Sequence, residues 1–257
     1  MKELCGNIVS HNKIFSGKII FDNLIREIKL VNDIKYKNYI VPGFIDLHCH
    51  GGKGFDSMEG IESIKKLADY HLSNGTTTLY PTTVTATLNN TFQSVKGLNR
   101  YLSLNKEATN IEGIHLEGPF LNSHKLGAQP PFTQLPDFNF IKPLLKEAPI
   151  KIMTLAPEID GALELIDLLN EKGIKPQIGH SLANYDCCSL AIEKGVESFT
   201  HLYNAMSGLD HREPGVVAAA FNNLKFSEII CDLIHVDKNM IELAYNNIEH
   251  LYAITDS

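Results

Sequence analysis

The chain has 257 residues, too many for a minimal fold and close to the roughly 250 of a single barrel domain. Hydrophobic residues make up 44% and charged residues 21%, which excludes disorder of the bulk. A net charge of −7 excludes a broad polyanion-binding surface, so nucleic acid is not expected as a partner; a local Arg or Lys site for a small phosphate remains open. At the start, MKELCGNIVSHNKIF carries polar and charged residues where a secretory leader needs an unbroken apolar core. No apolar run reaches the ~18 residues of a membrane span. A cytoplasmic protein without membrane partners is therefore expected. The five cysteines (Cys5, Cys49, Cys187, Cys188, Cys231) are odd in number and form no CxxC, which predicts reduced thiols. Cys187 and Cys188 fall on a predicted helix and read as packing residues.

Residues 1–40 hold short β-like pieces (Gly6 to Ser10, Lys18 to Phe21, Ile25 to Val31) broken by Asn, Gly and Asp turn signals. A different rhythm runs from Tyr39 onward. YIVPGFIDL, read as one strand, precedes a helical pattern at Ile61 to Ser73, and TTTLYPTTV precedes Leu88 to Leu104. NIEGIHLE leads to Phe138 to Glu147, IKIMTLAP to Ala162 to Lys172, and IKPQIGH to Tyr185 to Lys194. ESFTHL leads to a helix from about Pro214 to Asn222, FSEIICDLIHV to Lys238 to Glu249, and LYAITD closes the series. Strands alternating with helices imply parallel pairing, because each helix carries the chain back across the sheet. Eight strands with seven helices suit a closed barrel better than an open doubly wound sheet, and no GxGxxG follows any strand. The predicted fold is α/β, a (β/α)₈ TIM-like barrel over 41–257 preceded by a β-rich segment over 1–40.

Active sites of such barrels lie at the C-terminal ends of the strands. Of eleven histidines, six (His48, His50, His115, His180, His201, His235) fall at or near such an end. His48 and His50, two apart on a strand, face the same side and suit a divalent metal; two solvated histidines in a turn would give the same spelling. Glu117 in HLEGPF can be a metal ligand, a base or a helix-capping acid. His115, with the same sidedness, reads as a hydrogen-bonding support. His180 in GHS and His201 in FTHL lie on successive strands, and Glu, His and His around an open position form the ligand set of a catalytic zinc-type site. Asp256 in ITDS is placed to hold and move the proton of an attacking water, or is a solvated chain-end residue. Arg212 in HREPG, with free backbone N–H groups ahead of a Pro-Gly helix start, suits a phosphate or caps a surface loop. His235, read as ending the seventh strand in DLIH, can reach a sugar hydroxyl or be a buried structural histidine.

Taken together, PGFIDLHCHG, HLEGPF, GAQPP, GHS, THLYNAM, HREPG, DLIHV and ITD resemble the amidohydrolase superfamily and, within it, the N-acetylglucosamine-6-phosphate deacetylases. The likeness runs in order from about Val41 to the last residue. It implies a main metal site at Glu117, His180 and His201, and a second at His48 and His50 sharing Glu117. One or two divalent ions are thus expected, Zn²⁺ first, with Fe²⁺ or Mn²⁺ also suited to the ligands. It further implies Asp256 as the catalytic acid–base. Asn204, the backbone of Ala205 and Arg212 fall on phosphate-binding positions, and His235 on a sugar contact. Gln129 stands where some members carry a histidine that polarises the acetyl carbonyl; its amide donates a hydrogen bond but does not titrate. Leu233 replaces a small residue expected before the loop histidine.

The implied reaction is metal-dependent hydrolysis of N-acetylglucosamine 6-phosphate to glucosamine 6-phosphate and acetate in amino-sugar catabolism, with a homodimer expected for the full-length form. The alternatives are a sister enzyme acting on N-acetylgalactosamine 6-phosphate or a cyclic ureide, and an inactive sugar-phosphate-binding fragment. Relatives continue through a last barrel helix and back into a small β domain that residues 1–40 begin. The expectation is therefore a fragment whose final helix and C-terminal β strands are absent.

Overall fold

Period-two patterning governs the first part of the chain and helical patterning interrupts it thereafter. The computed structural model describes residues 1–32, 35–105, 109–223 and 226–257. The chain falls into two units, Met1–Phe44 and Ile45–Ser257. In the first, β1 (Lys2–Val9) and β2 (Ile14–Phe21) form an antiparallel hairpin, β3 (Ile25–Leu30) adds to β2, and β4 (Tyr39–Ile40) pairs parallel with β1. The strand order is β3-β2-β1-β4. Ile8 and Ile19 are its buried apolar side chains, whereas β3 is exposed along its whole length.

YIVPGFIDL was expected as one strand, but the structure divides it. Tyr39–Ile40 belongs to the four-stranded sheet, and β5 (Phe44–Cys49) begins the eight-stranded one. Pro42 has no N–H to give a ladder, which is why pairing lapses between them.

After β5 come a short hairpin, β6 (Gly51–Gly52) with β7 (Phe55–Asp56), then α1 (Ile61–Ser73), β8 (Thr76–Thr83), α2 (Leu88–Leu104), β9 (Ile114–Glu117) and α3 (Phe138–Glu147). They are followed by β10 (Ile150–Leu155), α4 (Ala162–Glu171), β11 (Lys175–Ile178), α5 (Tyr185–Glu193) and β12 (Ser198–Phe199). The series ends with α6 (Val216–Asn223), β13 (Phe226–Ile230), α7 (Lys238–Asn247) and β14 (His250–Ile254). Sheet neighbours follow chain order, β5-β8-β9-β10-β11-β12-β13-β14. The ends of this row meet: the Asp256 N–H donates to the His48 carbonyl at 3.0 Å, and the Thr255 hydroxyl donates to the Asp46 carboxylate at 2.6 Å. This is the expected eight-stranded parallel barrel with its helices outside.

Local sequence explains the elements. In α1, Ile64, Leu67, Ala68 and His71 recur at helical spacing and are all buried. Side chains of Thr87, Asp137, Asn184 and Asp237 accept the first free N–H groups of α2, α3, α5 and α7. Along β9 the period is two. Ile114 and Leu116 join the apolar layer under the helices, which leaves His115 and Glu117 turned into the barrel. The seventh strand stops earlier than expected, at Ile230. Asp232 Oδ1 accepts the N–H groups of Ile234 and His235 (2.8 and 2.9 Å), so DLIH is a side-chain-stabilised turn.

A candidate metal and catalytic centre

Five strand ends deliver imidazoles and carboxylates to one point. From β9, Glu117 is 1% exposed; its Oε1 lies 3.1 Å from His180 Nε2 and 3.2 Å from His201 Nε2. Those two nitrogens are 3.0 Å apart. Its other oxygen, Oε2, lies 3.1 Å from His50 Nε2. His48 Nε2 is 3.2 Å from His50 Nε2 and 3.2 Å from Asp256 Oδ1, and the same Asp256 oxygen is 3.3 Å from His50. The HxH pair therefore converges, with Glu117 between it and the His180–His201 pair.

The rings are turned by their outer nitrogens. His180 Nδ1–H donates to the Lys125 carbonyl at 2.7 Å and His50 Nδ1–H to the Thr82 carbonyl at 3.2 Å. In their neutral form both therefore present Nε2 lone pairs to the centre. Lone pairs facing one another and a carboxylate repel unless a cation lies among them. The Glu117–His180–His201 triangle, 3.0–3.2 Å on a side, has a point about 2 Å from every corner, the length of a Zn–N or Zn–O bond. His48, His50 and Glu117 make a second such group. Among the described residues no Lys or Arg is buried, so no side-chain cation of that kind balances these carboxylates. The donor set fits a divalent metal. A further group, Asp46, Cys49 and His71, already has its own partners: His71 Nε2–H donates to the Gly51 carbonyl at 2.9 Å, and Thr255 donates to Asp46.

Burial alone would raise the Glu117 carboxyl, but the imidazoles of His48, His180 and His201 outweigh it and hold the group well below the ordinary carboxylate range. Asp256 follows the same logic through His48 and His50. Burial pulls the His48 and His50 imidazoles down, yet the facing carboxylates win, raising His48 well above its ordinary value and His50 to about 9. His115 goes the other way, to about 4, because burial dominates and His48 adds repulsion. Its Nδ1–H donates to the Leu47 carbonyl and its Nε2 lies 2.7 Å from the Thr154 hydroxyl, outside the centre.

A cavity of about 400 Å³ opens over the group, lined by Glu117, His50, His180, His201 and Asp256 and, farther out, by Gln129, Asn204, Ala205 and His235. His48 lies beneath its floor with no exposed surface. Gln129 accepts the Thr85 N–H at 2.7 Å, which turns its amide nitrogen inward to donate to Glu117 Oε2. Arg212 does not line the cavity; it is exposed on the loop before α6. The backbone N–H groups expected to be free there are not, since Asp210 Oδ1 accepts those of Arg212 and Glu213 at 2.7 and 2.9 Å. Four residues of the cavity wall, His180, His201, Ala205 and Asp256, hold left-handed backbone (φ 49°, 31°, 49° and 49°). Each such non-glycine residue costs on the order of 1–3 kcal/mol, strain that collects where function fixes side-chain direction.

Sequence reasoning passed over Glu228. It sits mid-strand in FSEII, fully buried, 3.0 Å from His48 Nδ1. The signal was there: an acid inside a buried apolar strand is rare unless something pairs with it.

No family model matches the chain. An N-acetylglucosamine-6-phosphate deacetylase of Bacillus subtilis (strain 168) is 38% identical over 228 residues, 85% of this chain and 58% of the relative. The chain thus spans rather more than half the length of this curated relative. The crystal structure of N-acetyl-D-glucosamine-6-phosphate deacetylase from Mycobacterium smegmatis superposes with a TM-score of 0.91 at 30% identity, over 100% of this chain and 71% of the other. A mutant of the same enzyme in complex with N-acetyl-D-glucosamine-6-phosphate gives 0.90 at 29%, over 99% and 70%.

Proposed function

The chain belongs to the N-acetylglucosamine-6-phosphate deacetylase family, and on that premise we propose that its centre hydrolyses the acetamide of N-acetylglucosamine 6-phosphate, giving glucosamine 6-phosphate and acetate in amino-sugar catabolism. The observation that carries this reading is the Glu117 carboxylate set between two histidine pairs, with Asp256 against His48 and His50, at the bottom of one cavity.

Glu117, His180 and His201 would hold the main divalent ion, and His48 and His50, sharing Glu117, a second. An ion so held polarises a carbonyl oxygen and eases deprotonation of water. Asp256, ionised and aimed at the same point, takes a proton from the attacking water as its oxygen adds to the acetyl carbon. When the C–N bond breaks, Asp256 returns that proton to the departing nitrogen. Gln129, its amide orientation fixed by Thr85, donates to the acetyl oxygen. Asn204 and the Ala205 backbone meet the phosphate from the wall, Arg212 meets it from its loop outside the wall, and His235 meets a sugar hydroxyl. Remote contacts of this kind position the acetamide for attack.

Zinc is the ion we assign, on the mixed nitrogen and oxygen donors, with Fe²⁺ or Mn²⁺ suited to the same set. Five free cysteines support a cytosolic setting, and no helix among the described residues is long and apolar enough to cross a membrane. A homodimer completes the reading; exposed Leu209, Leu233 and Ile234 support a partner surface. Acetate release from the metal-loaded chain is the test, with N-acetylgalactosamine 6-phosphate and unphosphorylated N-acetylglucosamine as comparisons. Fastest turnover is expected on N-acetylglucosamine 6-phosphate. No acetate from a chain that has bound its metal would overturn the proposal.

A further inference from the structure

Glu228, a carboxylate the hydrolytic steps do not use, lies behind His48. Its Oε2 is 3.0 Å from His48 Nδ1, while the other ring nitrogen, Nε2, points at His50, Asp256 and Glu117. Three donors converge on Glu228. The His201 N–H reaches Oε2 at 3.3 Å, the Tyr252 hydroxyl reaches Oε1 at 3.2 Å, and His48 supplies the third. Tyr252 is held in turn, accepting from the Gln177 amide at 3.0 Å, so its own proton is directed at Glu228. Every contact treats this carboxylate as an acceptor, and an acceptor facing a ring nitrogen requires that nitrogen to carry the proton.

A neutral imidazole has one N–H. With it on Nδ1, Nε2 is left as a lone pair facing the centre. His50 and His180 reach the same state through backbone carbonyls; His48 alone of the three uses a full negative charge. His115 packs edge-on against the His48 ring, centroids 4.5 Å apart at 67°, and is itself tied to Leu47 and Thr154.

We infer that Glu228 is a positioning residue: by accepting the Nδ1 proton of His48 it fixes Nε2 as a free donor and so governs whether the His48–His50–Glu117 group takes up a cation. The inference rests on the reading of the centre as a divalent-metal site, but not on which amide it cleaves. Carboxylate partners of ligating histidines typically change metal affinity by about 10–100-fold when removed.

Two variants separate charge from shape. Glu228→Gln keeps the volume and an acceptor oxygen, and Glu228→Leu removes the acceptor. The first readout is the two-bond ¹H–¹⁵N spectrum of the histidine rings in the zinc-loaded chain at pH 8, with His48 assigned by its loss in His48→Gln. Wild type should show His48 protonated on Nδ1 only. The second readout is zinc affinity and stoichiometry with no substrate present. Glu228→Leu should weaken the His48-side ion by about 10–100-fold while leaving the Glu117–His180–His201 ion in place, and Glu228→Gln should lie between. Should the leucine variant not fold, the glutamine variant and the wild-type spectrum decide. A proton on His48 Nε2 in wild type, or unchanged zinc binding in folded variants, overturns the inference. Both readouts omit the reaction, so failure of the deacetylase reading would appear separately, as bound zinc without acetate release.

Discussion

Asp256 Oδ1 lies 3.2 Å from His48 Nε2, and the Asp256 N–H donates to the His48 carbonyl at 3.0 Å. The residue joins the last barrel strand to the first with its backbone and reaches the centre with its carboxylate. Thr255, one residue earlier, is fastened to Asp46 across the same seam. Barrel closure thus aims the proposed proton carrier, and Asp256 adopts left-handed backbone (φ 49°) to comply. Asp256→Asn keeps the shape and removes the basicity. It should lower kcat by at least ~10²-fold with KM nearly unchanged, the usual size of a lost general acid–base. Steady-state kinetics check this; a variant that keeps more than about a tenth of wild-type kcat shows that the proton travels elsewhere.

Leu233 carries strain that its sequence position announced. A small residue was expected there, and the structure gives φ 64° with the side chain 65% exposed, so packing returns nothing for the left-handed backbone. That conformation costs an L-residue roughly 1–2 kcal/mol. Glycine avoids the cost but loses about 0.4–1 kcal/mol through its freer unfolded chain. Leu233→Gly should therefore stabilise by about 0.5–1 kcal/mol, raising Tm by roughly 1–4 °C for a chain of this size. Thermal melting checks it, and a lowered Tm would mean that Leu233 makes a stabilising contact.

The barrel was legible because helix and strand periods alternate cleanly: Ile64, Leu67, Ala68 and His71 announce α1 as plainly as Ile114 and Leu116 announce β9. The centre was legible because histidines at strand ends are hard to place otherwise. What escaped was relational. Glu228 reads as one polar letter in an apolar strand, and only the fold shows that His48 is its partner. Pro42 marked the break in YIVPGFIDL, and Asp232 marked the end of β13, but apolar runs on either side concealed both. Asp210 occupying the N–H groups beside Arg212 is a loop geometry that spacing does not encode.

Removing metal should destabilise the chain, and increasingly so with pH. Glu117 and Glu228 are buried with no Lys or Arg buried beside them among the described residues, so in the metal-free chain their balancing charge falls to protonated histidines. His50, raised to about 9 by Asp256 and Glu117 against the pull of burial, is one of these. A raised folded-state value contributes stability that is full below the unfolded value of ~6.5 and is lost as pH climbs through about 9. Bound metal replaces those protons and is free of that loss. Ligand at about 1,000 times Kd adds some 4 kcal/mol, so chelation should lower Tm by about 8–16 °C at that loading. The gap between metal-free and loaded melts should widen from pH 6.5 to 9, and a gap that narrows would contradict the charge argument.

Arg212 tests the phosphate. Among the described residues the cavity wall holds no Lys or Arg, so a phosphate dianion there meets Asn204 and the Ala205 backbone but no basic side chain of the wall unless one reaches in from outside. Arg212 stands on the loop before α6, and Asp210 has already taken the backbone N–H groups of Arg212 and Glu213, so it is the guanidinium that Arg212 can offer an anion. A charge-assisted hydrogen bond of this kind contributes about 1.5–3 kcal/mol, or roughly 10- to 150-fold in KM. Arg212→Ala should raise KM for N-acetylglucosamine 6-phosphate by that factor and leave the unphosphorylated sugar within about twofold. Arg212→Lys should recover only part of the loss, because an ammonium keeps the charge without the two-pronged donor geometry. Kinetics on both sugars with both variants distinguish the roles: equal losses on the two sugars would make Arg212 a brace of its loop and return the phosphate to Asn204 and Ala205 alone.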